Sequence, residues 1–314
     1  MELKNISKKS FTIPKFEDIP VSTKTSIVMT NITLNISKLY EHLPVTEYTV
    51  VPKRRGRKKK NIITDPNKNI PDGSIITVDL ENNVRGVRLK KKKKSSAKKG
   101  EDYFRNSVTI VMVINSKQIN FKISRNGIFQ ITGCETDEHA EKCVGFIWKY
   151  IKDSDDVYTM NENSDNFEAL FIPAMRNIDF GLGFHIDREK LDKYFNTETD
   201  YCSLLETSIG YTGVNIKIPF KKPITDLYLR KLTWNEDYNE WNPVELVPFM
   251  YYLDLLKPKE KEKKLKKDRY HTFLVFHSGK IICSSLCEEF TKDIYYEFMN
   301  IIKNNHKRFQ ENLK

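Results

Sequence analysis

The sequence holds no uninterrupted apolar run near the roughly 18 residues of a membrane span, and its first residues, MELKNISKKSF, lack the apolar core of a secretory signal. A soluble, intracellular protein is expected. Cysteine is scarce: positions 134, 143, 202, 283 and 287 form an odd set without regular spacing, which suits reduced thiols better than a disulfide framework. P-loop, HExxH and GxSxG motifs are all missing. Cys283-x-x-x-Cys287, with His271 and His277 nearby, is not a zinc spacing. The carboxylates at 135–141 and 153–156 fall on a helix surface and a solvated stretch, not in a preorganised acid–base or two-metal pair. No metal, cofactor or small-molecule substrate is expected, and the chain does not read as an enzyme. Apolar residues are sparse at 39%, yet 18 Phe, 15 Tyr and 3 Trp supply bulk for one or two cores, which excludes a wholly disordered chain.

What is abundant is positive charge, and it is localised. Lys53 to Lys60 (Lys53, Arg54, Arg55, Arg57, Lys58 and two more) and Lys90 to Lys99 (Lys90, Lys91, Lys92 and four more) hold seven bases each and no acid, more than the whole net charge of +11. Such runs read as exposed loops whose Lys and Arg make non-specific phosphate contacts by releasing counterions. Arg55-Gly56-Arg57 looks like an AT-hook core. Segment 257–269 adds a third basic stretch, and 153–168, with six acids and no base, reads as a solvated linker.

The chain also repeats itself. Residues 118–133 (QINFKISRNGIFQITG) and 270–285 (YHTFLVFHSGKIICSS) each read as strand, Gly turn and second strand, with Gly127 and Gly279 lying 152 residues apart. An amphipathic helix follows each: Ala140, Val144, Ile147, Trp148 and Ile151 form one stripe, and Phe290, Ile294, Phe298 and Ile301 the other. Ser285-x-x-Glu288 reads as a capping box for the second. Upstream, Asn35 and Asp187, again 152 apart, each cap a helix after a strand. Further strands fall at 107–114 and 211–218. The leftover segments are insertions, 45–103 with a hairpin at 74–89, and 221–268 with a short helix near 244–256. An α+β fold is expected, with two pseudo-symmetric repeats of antiparallel sheet, helices on one side and the other face free.

Three stretches carry a family resemblance: FLVFHSGKIICSSLCEEF (273–290), SIVMTNITLN (26–35) and NGIFQITGC (126–134). They resemble the TATA-box-binding protein family, in particular the divergent TBP-like proteins of large DNA viruses. The resemblance implies a saddle with helices on its convex face and a sheet that enters the DNA minor groove and bends the duplex. It divides the chain into a tail (1–20), repeat 1 (21–152), the acidic linker (153–168), repeat 2 (169–309) and a short tail (310–314).

Phe276 stands where the family places a base-wedging Phe, with Tyr211 as its partner position; the first copy has Ser124 and Ser107 at the corresponding places. Taken alone, Phe276 would read as core, but its period-two phase with Lys280 puts it on the free face. Alternation assigns Ile128, Gln130 and Thr132 to that face in the first copy and Lys280, Ile282 and Ser284 in the second. Val28 and Thr30 extend the first set. Asn177 matches one member of the family's Asn pair, with Ser26 at the other place and Asp179 sharing the direction of Asn177. The implied partners are double-stranded, AT-rich promoter DNA, a TFIIB-like factor and RNA polymerase, in the nucleus or a viral replication compartment or packaged in the virion. The alternative is a non-specific nucleic-acid-binding or packaging protein on the same scaffold, with the Lys-rich loops supplying affinity.

Overall fold

A computed structural model describes residues 13–50, 67, 69–88, 106–161, 165–205 and 213–311. In chain order the described strands are β1 (Val21–Thr30), β2 (Ile32–Leu34), β3 (Ile75–Leu80), β4 (Asn83–Gly86), β5 (Ser107–Ile114), β6 (Lys117–Ser124), β7 (Ile128–Cys134), β8 (Tyr158–Met160), β9 (Glu168–Gly181), β10 (Cys202–Leu205), β11 (Gly213–Pro219), β12 (Tyr228–Asn235), β13 (Glu240–Trp241), β14 (Glu245–Pro248), β15 (Tyr270–Phe276) and β16 (Lys280–Ser285). The helices are α1 (Ile36–His42), α2 (Asp137–Ile151), α3 (Arg188–Glu198), α4 (Phe249–Asp254), α5 (Pro258–Lys266) and α6 (Glu288–Phe309). None is long and apolar enough to cross a membrane. The fold is α+β with antiparallel strand pairing. It divides into an N-unit, Lys24–Ala174 with Tyr228–Pro248, and a C-unit, Met1–Thr23, Met175–Leu227 and Phe249–Lys314.

In the N-unit the strand order is β1-β7-β6-β5-β3-β4. Two-residue turns with both residues at positive φ, Glu81-Asn82 and Asn115-Ser116, close the β3–β4 and β5–β6 hairpins; this geometry matches the right-handed twist of the flanking strands. One sheet face is apolar at every second position, through Phe129 and Ile131 of β7, Ile119, Phe121 and Ile123 of β6, and Val108, Ile110 and Met112 of β5. Leu39 of α1 and Val144, Ile147 and Trp148 of α2 cover it. Burial of each large side chain stabilises by roughly 1.5–3 kcal/mol.

The C-unit repeats this layering with the order β10-β11-β15-β16 followed by the last residues of β9. Val214, Ile216, Phe273, Val275, Ile281 and Cys283 face Leu191 and Phe195 of α3 and Ile294, Phe298 and Ile302 of α6. Phe273 and Phe298 stack with ring centroids 4.0 Å apart.

A set of local hydrogen bonds recurs at a constant separation of 152 residues. Thr30 N–H donates to Gly127 O and Leu182 N–H to Gly279 O; Leu34 N–H donates to Arg125 O and Ile186 N–H to His277 O. Asn35 and Asp187 cap α1 and α3 by accepting from the backbone N–H of Lys38 and Lys190. Their own N–H groups donate to Val157 O and Phe309 O. Gly127 and Gly279 lie at φ +65° and +75°, and a Cβ on either would run into the carbonyl oxygen of Ile32 or Phe184. Glycine is therefore required at both turns.

Several expectations need correction. Helix α6 starts at Glu288 with Cys287 as its N-cap and no side-chain cap bond, so the Ser285–Glu288 capping box does not form. Ser285 instead ends β16 facing inward, its Oγ 2.7 Å from His271 Nδ1, and Glu288 pairs with Arg176 at 3.4 Å. The acidic segment 153–168 is not merely a solvated linker. Val157 and Phe167 are buried, and β8 pairs with β2. Its apolar residues turn inward while Asp156 pairs with Lys38 at 2.8 Å. Nor is 221–268 a single appendage. Residues 228–248 belong to the N-unit, where β12 pairs with the start of β9 and Leu232 and Trp234 join the core. The expected short helix is α4, preceded by β14, and the basic stretch forms α5, which buries no residue.

Candidate nucleic-acid interface

Residues directly opposite in an antiparallel pair point to the same side of the sheet, so the pairings define the face turned away from the helices. In the C-unit one row across it is Leu204, Asn215, Leu274, Ile282 and Asp179. The next is Cys202, Lys217, Thr272, Ser284 and Asn177. At the β15–β16 turn lie Phe276, opposite Gly213, and Lys280, opposite Gly181. Phe276, Leu274 and Ile282 are half-buried and Leu204 is 57% exposed, so apolar groups are accessible on this face, with Asn215 between Leu204 and Leu274. A Cβ at Gly213 would strike the Leu274 side chain, so glycine opposite Phe276 lets Leu274 fill that space.

In the N-unit the corresponding rows are Ile27, Gln130, Lys122, Thr109 and Asp79, then Thr25, Thr132 and Asn120. Ile128 pairs with Met29, and Ser107 with Ser124. Gln130 and Thr132 are exposed, and the Thr132 hydroxyl donates to Asn120 O at 3.0 Å. This face is covered at its β3–β5 end, where Tyr48 and Ile70 pack over Ile76, Val111 and Val113. The Tyr48 hydroxyl accepts from Gln118 at 2.7 Å.

The structure thus brings Ile128, Gln130 and Thr132 together on one open face and Asn177, Phe276, Lys280, Ile282 and Ser284 on the other. It removes Val28, which is fully buried against the helices opposite Phe129. Thr30 shares that parity, and its hydroxyl donates to Gly127 O at 2.8 Å, so it serves the turn. The open-face residues of β1 are Thr25, Ile27 and Met29. The counterpart of Asn177 is accordingly Thr25, opposite Thr132 as Asn177 is opposite Ser284, and not Ser26. Tyr211 lies outside the described residues, and the residue paired across from Phe276 is Gly213. Lys53, Arg54, Arg55, Arg57, Lys58, Lys90, Lys91 and Lys92 also lie outside them. Sequence reasoning missed Thr25, Ile27, Leu274 and Asn215; the partner strands would have yielded the last two, since each faces a residue of known parity.

The polar atoms of these faces are unevenly satisfied. Ser22 Oγ donates to Asp179 Oδ1 at 3.0 Å and lies 3.3 Å from Asn177 O. The side-chain oxygens of Ser124, Asn177 and Asn215 are shielded from solvent and have no hydrogen-bond partner among the described residues. Behind the C-unit sheet, desolvation lowers the His271 pKa to about 4 and raises the Cys283 thiol to about 12. These groups support the core and do not reach the open face. Among the described residues no group of three or more His, Cys, Asp or Glu is placed to hold a metal ion.

No protein-family model matches the chain. Uncharacterized protein 335L of Invertebrate iridescent virus 6 is 26% identical over 218 residues, which take in 67% of this chain and 64% of the length of that protein. Among solved structures, the TBP of Methanococcus jannaschii aligns with a TM-score of 0.40 at 13% sequence identity, covering 93% of this chain and 99% of that one.

Proposed function

We propose that the chain binds double-stranded DNA through the minor groove and serves in transcription initiation, bending an A·T-rich promoter element and recruiting a TFIIB-like factor and RNA polymerase through its helix side. In this reading the protein has no catalytic role and acts in the nucleus or a viral replication compartment. The observation that carries the proposal is the C-unit open face, with Phe276 beside a glycine, Leu274 and Ile282 at its centre, and Ser284, Thr272 and Asn177 in the adjoining row. An A·T minor groove has smooth walls and only acceptors on its floor, which suits apolar contact flanked by hydroxyl and amide donors. A Phe at the margin of such a face can wedge into a base step and kink the duplex. The recurrence of turn and cap bonds 152 residues apart fits two copies of one unit, each offering a face to half of the element.

A second reading, non-specific nucleic-acid binding, draws on the N-unit, where Ser124 and Ser107 occupy the corner that Phe276 and Gly213 hold in the C-unit. A hydroxymethyl group cannot unstack bases. Titration of the full chain against TATA-containing and G·C-rich duplexes of equal length, at two salt concentrations, separates the two. Promoter reading gives tighter binding to the TATA duplex at both salts. Equal affinities with a steep salt dependence would mean charge-driven binding alone.

A further inference from the structure

The C-unit open face carries an exposed carboxylate, an acceptor that an A·T minor groove cannot use. Asp179 is exposed in the central row, opposite Ile282. Its Oδ1 accepts from Ser22 at 3.0 Å, and its other oxygen has no partner among the described residues. At the corresponding place of the N-unit, 152 residues earlier and opposite Gln130, stands Ile27, which has no polar atom on its side chain.

A carboxylate aimed at the floor of an A·T groove would meet adenine N3 and thymine O2, both acceptors, where the negative potential is strongest. The minor groove offers one base-edge donor, the exocyclic 2-amino group of guanine. Resting on the minor-groove reading above, we propose that Asp179 specifies a G·C pair: its free carboxylate oxygen accepts from the guanine 2-amino group, and the element is A·T-rich with one G·C pair under the C-unit. The charged acceptor makes this hydrogen bond stronger than one to an amide. The bond also relieves the repulsion that the carboxylate would otherwise feel. Because Ile27 replaces it in the N-unit, the requirement falls on one half of the element and gives the bound DNA a direction.

The test uses the full chain in competition binding with an A·T-rich duplex through which a single G·C pair is walked. The decisive position is then repeated with inosine·C, which lacks the 2-amino group, and with 2,6-diaminopurine·T, which adds it to an A·T-like pair. The proposal expects one position in one half where G·C and diaminopurine·T bind about tenfold more tightly than A·T and inosine·C. Asp179→Ile, which copies Ile27, should abolish that preference and tighten binding to the all-A·T duplex. Asp179→Asn keeps an acceptor and should retain part of the preference. Binding of A·T-rich duplexes with no position favouring the 2-amino group would overturn the proposal while leaving minor-groove reading intact, as would a preference that persists in Asp179→Ile. Failure to bind any duplex selectively would overturn both.

Discussion

His271 and Asp179 are polar residues of the C-unit turned to opposite sides of the sheet, and their chemistry divides accordingly. His271 is buried, stacked on Phe220 with centroids 4.3 Å apart, and its pKa falls to about 4 because burial disfavours the imidazolium. In the unfolded chain the value returns to about 6.5, so between pH 6.5 and 4 the unfolded state binds the extra proton and stability falls as the pH falls. The loss approaches about 3 kcal/mol near pH 4. Denaturant titrations across this range should show a flatter profile for His271→Gln than for the unsubstituted chain; identical profiles would remove His271 as the source. Which side a residue faces was readable where alternation was clean. Gln130 and Thr132 alternate with the core residues Phe129 and Ile131, and Ile282 and Ser284 with Ile281 and Cys283. In β1 the run Thr25-Ser26-Ile27-Val28-Met29 has two hydroxyl residues followed by three apolar ones, with no alternation to mark the buried face. An irregularity between Lys24 and Thr25 shifts the register as well, so Val28 and Thr30 were assigned to the wrong face.

At the scale of elements, the hairpin turns fix the register of both sheets. Gly279 and Gly133 both lie at positive φ, +75° and +84°, but only at Gly279 would a Cβ meet backbone, the carbonyl of Phe184. Gly133→Ala should therefore cost about 1 kcal/mol for the left-handed conformation alone. Gly279→Ala should cost more, because the Phe184 segment must also move. Thermal or denaturant unfolding of the two variants checks the order, and equal losses would refute the steric account. The hairpins, the Asn35 and Asp187 caps and the apolar stripes of α2 and α6 were legible because each is a local pattern. The position of β12 was not: its pairing with β9 spans some sixty residues of sequence, and nothing within Tyr228–Asn235 names its partner strand. The Ser285–Glu288 pattern failed for a related reason, since the demand of buried His271 for a partner holds Ser285 in the strand.

For the molecule as a whole, the proposed function makes charge and shape-reading separable contributions. The two Lys-rich runs exceed the entire net charge of +11, whereas the open-face rows hold few bases and two carboxylates, Asp179 in the C-unit and Asp79 in the N-unit. Replacing the bases of 53–60 and 90–94 by Gln should lower affinity for every duplex and flatten its salt dependence, while the ratio between TATA-containing and G·C-rich duplexes stays unchanged. A ratio that collapses to one would assign the discrimination to the runs and not to the sheet faces. The most direct test of the central claim is the end-to-end distance of a TATA-containing duplex, followed by energy transfer between end labels as the full chain is added. The account predicts shortening on binding and loss of most of that shortening in Phe276→Ala, with binding weakened but still measurable. A bound duplex that stays straight, or bends equally without the Phe276 ring, would contradict it.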